Sequence, residues 1–480
     1  MEEEDFFFDA KDLDNDIIAR RLQYDVANQN GKVYKHYGDD LNLKFNKIKK
    51  SLTRVSFNCL QGIDIYYPYA YTASKDGTVA KYNIKDFNSK PKLIKFHKSE
   101  LMKQNTNKNL DNEEGKEDKQ IEHSDVILTM AISPDGQYLV TGGKDGKLII
   151  WSTERLIPIK LLLHLKDKRR SRNEILSISF RKDEKLNQLY VASSDLKIRT
   201  FSVNDYAQLE TLYGHQDLIV DIDALREEKC ITVGSRDKTA MLWKISEETR
   251  LTFRGGDFKK PNKKQKTNDK KVKKKTKENV IEGQEESDFF NEGSIDCVSL
   301  IDSTHFITGS DNGSISLWSS SKKKPIFTER VAHGIIPALE SVKASAETDE
   351  KKRKLQIPPK KPYWITTIKS IPYSDLFISG SWNGQLIVWQ LDAKLSSFKK
   401  KYCINEVKGA ITKIGSVEIT EYENYLLMDS ETGKKEKIRI LASVSKEHRL
   451  GRWIEVGNGA RNSIYSVCLE LKKKSPSETL

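Results

Sequence analysis

Two histidines raise the first question of chemistry in this 480-residue chain: His123 stands 22 residues before Asp145, and His215 stands 22 before Asp237. A His–Asp pair can orient a general base, contribute to a metal site or staple two strands together. Neither pair is accompanied by a nucleophile in a known setting, because the chain holds no G-x-S-x-G and no H-E-x-x-H. The nearest approach to a phosphate loop is Gly142-Gly143-Lys144-Asp145-Gly146-Lys147, one residue short and followed by Leu148 where Ser or Thr is required. Cys59, Cys230, Cys297, Cys403 and Cys468 are odd in number and never spaced C-x-x-C, so neither a disulfide framework nor a zinc site is expected. No catalytic, metal or cofactor site is therefore expected, and the staple is the preferred reading of both histidines.

The elements that would position such staples are written in a repeat. A small residue, two positions, Asp or Asn, then an aromatic six residues on recurs as Ser74-Lys75-Asp76-Gly77…Tyr82 and Gly143-Lys144-Asp145-Gly146…Trp151. It returns as Ser193…Asp195…Phe201, Ser235…Asp237…Trp243, Ser310…Asn312…Trp318 and Ser381…Asn383…Trp389. A degenerate seventh copy is Ser445-Lys446-Glu447…Trp453. Asp-Gly and Asn-Gly supply the positive-φ residues of a tight hairpin, and alternating apolar residues such as Leu148-Ile149-Ile150-Trp151 follow them. A second turn, clearest at Ser133-Pro134-Asp135-Gly136, precedes each unit, so each reads as a four-stranded meander.

This unit resembles the WD repeat, and seven copies predict an all-β, seven-bladed WD40 β-propeller over residues 50–471. The resemblance implies a structural tetrad in blade four made of His215, Ser235, Asp237 and Trp243. The ring closes through a strand near Arg54 or through one at Asn462–Leu471; the second is preferred, since it supplies the outer strand that blade seven otherwise lacks. Polar surplus at about 102–120, 256–290 and 332–361 reads as charged loop insertions that leave the blades intact. Residues 1–49 read as an acidic leader with a short helical extension, and 472–480 as a tail.

The formal charge is +13, from 82 Lys+Arg against 69 Asp+Glu. Most of that excess sits in the second and third insertions, whereas the first 14 residues carry seven acids and one Lys. Lys259–Lys277 has no interleaved aromatic, so it suits phosphate contact better than base stacking. Lys351-Lys352-Arg353-Lys354 is a candidate nuclear-import signal; a merely solvated loop is the bland alternative. No apolar run reaches a membrane span, and the acidic N-terminus differs from a signal peptide. An intracellular, soluble chain with no membrane contact is expected.

The segments that depart from the generic repeat are more telling. They are Glu447-His448-Arg449-Leu450-Gly451-Arg452-Trp453, Ala460-Arg461-Asn462-Ser463, Leu212-Tyr213-Gly214-His215 and, before the propeller, Ile17-Ile18-Ala19-Arg20-Arg21-Leu22. Together they resemble the family of WD-repeat proteins specific to the U3 small nucleolar ribonucleoprotein. The resemblance implies a nucleolar, non-catalytic scaffold that binds the B/C motif of U3 small nucleolar RNA. Its partners would be a small kink-turn-binding protein, the other core box C/D particle proteins and the small-subunit processome, in pre-rRNA processing toward 18S rRNA. Arg449, Arg452 and Arg461, within the family-specific segments, are the RNA-contact candidates, with blade-to-blade ion pairs as the alternative. Arg236, beside the blade-four turn, is a further candidate. Ile18, Leu22 and Val26 share one helical face that either docks a partner or packs on the propeller. The rival function is a nuclear peptide-binding propeller, such as a histone chaperone or a ubiquitin-ligase substrate receptor.

Overall fold

Each Asp-Gly or Asn-Gly turn does what its chemistry requires: Gly77, Gly146, Gly313 and Gly384 take φ of 71, 72, 73 and 84°. In blades three and four the same turns place Leu196 and Lys238 at positive φ instead, 68 and 53°. The hairpins so formed assemble into seven four-stranded antiparallel sheets. The computed structural model describes residues 34–41, 48–55, 58–87, 89–100, 121–165, 173–183, 185–255, 292–337, 352, 361–422, 434–451, 456 and 459–471. The first insertion and the second lie outside these residues, as does most of the third.

Blades one to six are continuous meanders. Blade four, for example, runs Ile219–Ala224, Lys229–Gly234, Thr239–Lys244 and Thr249–Arg254 from the channel outward. Apolar clusters form between neighbouring blades, so each blade lacks a core of its own. Ile315 and Leu317 of blade five pack with Phe377 and Trp389 of blade six. Trp318 stacks on Phe306 at 5.8 Å while Phe253 of blade four meets both edge-on.

Blade seven corrects the expected closure. Its sheet order is Ala410–Tyr422, Lys434–Ser445, Ser463–Glu470 and, outermost, Lys49–Arg54. The strand at 463–470 is thus the third of its blade, and the outer strand comes from the other end of the propeller, in register from Lys49↔Cys468 to Arg54↔Ser463. The third strand also begins ten residues past Trp453, which lies outside the described residues, so the degenerate seventh repeat does not place its aromatic on that strand.

All seven inner strands share one irregularity. A bulge follows the first residue in blades one to six and the second, Ile411, in blade seven, leaving Gln61, Leu128, Leu176, Val220, Asp296, Thr366 and Thr412 without a register partner. These residues lie at the channel mouth on the face that carries the turns between second and third strands.

Before the propeller proper, Tyr34–Leu41 docks at the opposite end of blade six. The Lys35 amide donates to the Tyr373 carbonyl at 2.7 Å, and the Tyr37 amide to Asp375 Oδ1 at 2.7 Å. Ile18, Leu22 and Val26 lie outside the described residues.

Candidate functional site

The staple reading of the histidines has a definite geometry. In blade four, His215 Nδ1 meets Asp237 Oδ2 at 2.9 Å, and its Nε2 meets Thr232 Oγ1 at 2.8 Å. Trp243 Nε1 donates to the same Thr232 hydroxyl at 2.8 Å. The tetrad hydroxyl therefore belongs to Thr232, in place of the expected Ser235. Ser235 lies in the turn, beyond the end of the strand Lys229–Gly234 that carries Thr232 toward both rings. Blade two repeats the arrangement with His123, Thr141, Asp145 and Trp151. In blade six, His333 Nε2 and Trp389 Nε1 share Ser379 Oγ at 2.7 and 2.8 Å, a staple that the His-to-Asp spacing did not reveal. Burial raises the carboxyls of Asp145 and Asp237, but the facing imidazoles and backbone amides outweigh it and hold both below the ordinary range.

The turns between second and third strands all emerge on one face, since every blade is the same meander. The residue before the turn acid or amide is Lys75, Lys144, Ser194, Arg236, Asp311, Trp382 and Lys446 in blades one to seven. Lys75 is committed to Glu447 at 2.8 Å and to the His448 carbonyl at 3.1 Å. Lys144, Arg236 and Lys446 are exposed and make no ion pair among the described residues. Arg461 is exposed too, and the adjacent Asn462 accepts the Lys446 amide at 3.2 Å, so these two cations share the rim of blade seven. The sequence reading singled out Arg236 and Arg461 but missed Lys144 and Lys446. Their signal was the recurring basic residue directly before the turn acid.

Arg449 goes elsewhere. Its guanidinium reaches the channel mouth and donates to the carbonyls of Leu176 at 2.6 Å and Val220 at 3.0 Å, both bulged residues of inner strands. The rest of its loop is fastened as well. His448 stacks on Trp364 with ring centroids 4.8 Å apart, and Trp364 Nε1 donates to Asp296. Burial, then the nearby Asp311, pushes the Asp296 carboxyl up to about 7. Burial together with Arg449 and Lys75 pulls the His448 imidazole down to about 3. A neutral ring agrees with its Nδ1 accepting the Leu450 amide at 3.2 Å. Arg452 lies outside the described residues, as do Lys351, Arg353 and Lys354; Lys352 is exposed.

Behind this mouth the channel holds a cavity of about 400 Å³ whose walls include Lys182, Lys369, Asp64 and Asp223. Its opposing charges balance, and no pairing of nucleophile with base stands out among them. Among the described residues, no three His, Cys, Asp or Glu converge as a metal site, and the five cysteines are free. The chemistry on offer is recognition: exposed cations on a rigid face.

The family described as WD domain, G-beta repeat matches residues 116–152, 206–244 and 354–390. The chain is 48% identical to ribosomal RNA-processing protein 9 of Saccharomyces cerevisiae, covering 96% of this chain and 81% of the relative. It is 27% identical to human U3 small nucleolar RNA-interacting protein 2, over 96% of this chain and 77% of that protein. Among solved structures, the RRP9 WD40 repeats superpose with a TM-score of 0.62 at 24% identity, covering 88% of this chain and 97% of that one. The structure of U3-55K gives 0.61 at 24%, covering 88% and 98%.

Proposed function

The chain belongs to the family of U3 ribonucleoprotein WD-repeat proteins that includes ribosomal RNA-processing protein 9, and from that premise we propose a mechanism for its part in the particle. It is a component of the U3 small nucleolar ribonucleoprotein and acts in ribosomal RNA processing. The names of its relatives do not favour the peptide-reading alternative.

In the proposed mechanism the propeller works in the nucleolus as a scaffold without chemistry of its own. It binds the B/C motif of U3 small nucleolar RNA beside the small kink-turn-binding protein and other box C/D proteins. The contact face is the one bearing the turns between second and third strands, with Lys144, Arg236, Lys446 and Arg461 on phosphates. The observation that carries this placement is the exposure of those four cations on one end of a disk. Arg449 serves the same face indirectly, by fixing the loop that crosses the channel mouth.

Ultraviolet crosslinking of the tagged chain in its own cells, with sequencing of the recovered RNA, tests the reading. Reads concentrated on U3, reduced several-fold by Arg236→Glu with Arg461→Glu, are expected. Scattered reads unchanged by those substitutions would reject the face and leave the RNA partner unsupported.

A further inference from the structure

The outer strand of blade one, Lys92–Lys98, is built the wrong way round for an edge left open to water. Among the described residues it pairs on one side only, with Thr78–Asn83. A bulge between Lys81 and Tyr82 leaves Ile94 without a register partner, so two consecutive large apolar residues turn outward, Leu93 46% exposed and Ile94 52% exposed, and Phe96 of the same strand is 52% exposed as well. Lys92 and Lys95 flank them and make no ion pair among the described residues, while Lys98 sits 3.6 Å from Asp76. The corresponding strand of blade six, Phe398–Ile404, does the opposite, burying Phe398, Tyr402 and Ile404 and showing Lys399 and Lys400 to solvent. Exposed apolar side chains interleaved with two uncommitted cations call for a cover that is both apolar and acidic.

We propose that this cover is the chain's own acidic leader, residues 2–14. That stretch holds Glu2, Glu3, Glu4, Asp5, Asp9, Asp12 and Asp14 against Lys11 alone, around Phe6-Phe7-Phe8. Its acids answer Lys92 and Lys95, and its three rings answer Leu93 and Ile94. Reach is sufficient. Tyr34 is held at blade six beside the Lys35 amide bond to Tyr373. The 20 residues from Asp14 to Tyr34 can extend to about 70 Å. Four strands at about 4.8 Å spacing on either side of the channel make the disk about 50 Å across.

Zero-length carbodiimide crosslinking of the full chain, read by mass spectrometry, tests the contact. Lys92 or Lys95 joined to an acid between Glu2 and Asp9 is the expected product. Glu3→Lys with Asp5→Lys and Asp9→Lys should abolish that product and speed amide exchange of the Lys92–Lys98 strand about tenfold. Adding Lys92→Glu and Lys95→Glu to the same chain should restore the slow exchange and give a crosslink of reversed polarity between the same positions, since the charges are then swapped and the substituted strand positions are exposed. Leader acids that crosslink elsewhere or nowhere, or a charge swap that rescues nothing, would overturn the assignment. So would strand protection that appears only when U3 RNA or a partner protein is added.

Discussion

Arg449 of blade seven donates its Nη2 hydrogen to the carbonyl of Val220 in blade four, 3.0 Å away, while its Nη1 takes the Leu176 carbonyl of blade three. Those carbonyls belong to bulged residues, so the guanidinium satisfies backbone that the sheet leaves unpaired. Arg449→Ala removes two charge-assisted hydrogen bonds from a desolvated site and should cost about 2–4 kcal/mol of stability. A denaturant midpoint checks this. An unchanged midpoint with weakened RNA binding would instead make Arg449 a direct RNA contact.

The tetrad correction separates two neighbouring hydroxyls. Thr232→Ala deprives both His215 Nε2 and Trp243 Nε1 of their shared partner, and about 2–3 kcal/mol should be lost. Ser235→Ala touches neither ring and should fall within about 0.5 kcal/mol of the parent. Thermal melts of the two variants suffice, and equal losses would return the tetrad to Ser235.

How much of this was legible follows from how local each signal is. The Asp-Gly turns and the apolar alternation around Trp151 are set within a dozen residues, so the blades could be read directly. Thr232 was missed because the repeat draws attention to the small residue two before the turn acid, Ser235, whereas the shared hydroxyl stands further back on the strand, five before Asp237 in blade four and four before Asp145 in blade two. The outer strand of blade seven was ambiguous because Lys49 and Cys468 pair across almost the whole chain, and no local pattern records such a partner. Arg449 was assigned to RNA for a related reason. Its partners are backbone carbonyls, and carbonyls leave no trace in residue type.

Acid should loosen the fold with a sign that the buried groups fix. His333 and His448 both have folded values pulled down to about 3, chiefly by burial. The unfolded imidazoles take up protons near pH 6.5, so the stability from keeping them neutral is full above 6.5 and is lost as pH falls toward 3. Asp296 acts against them. Its folded value is raised to about 7, so the folded chain gains a proton that the unfolded chain takes up only near 4. Two histidines against one aspartate leave a net loss of about 1.4 kcal/mol per pH unit between about pH 6 and 4, somewhat more because Asp296 keeps partial solvent contact. Asp296→Asn should steepen that slope toward two protons. Unfolding midpoints across pH measure it, and a parent slope already near two protons that Asp296→Asn leaves unchanged would show that Asp296 is ionised in the folded chain.

The proposed RNA face makes a prediction that a peptide-binding face would not share. If Lys144, Arg236, Lys446 and Arg461 each sit on a phosphate, each displaces a condensed counterion when RNA binds. Binding of U3 RNA should then weaken steeply between about 50 and 200 mM salt, with a log–log slope that falls by about 0.7–0.9 for every cation removed. Single Ala substitutions at the four positions should each lower the slope by that amount. They should barely move the melting temperature, because all four side chains are exposed. Lys75→Ala is the internal contrast: it occupies the same turn position in blade one but is engaged by Glu447 and the His448 carbonyl. Its removal should leave the slope in place and lower stability instead. Equal slopes for Lys75→Ala and Lys144→Ala, or no salt dependence at all, would move the RNA off this face.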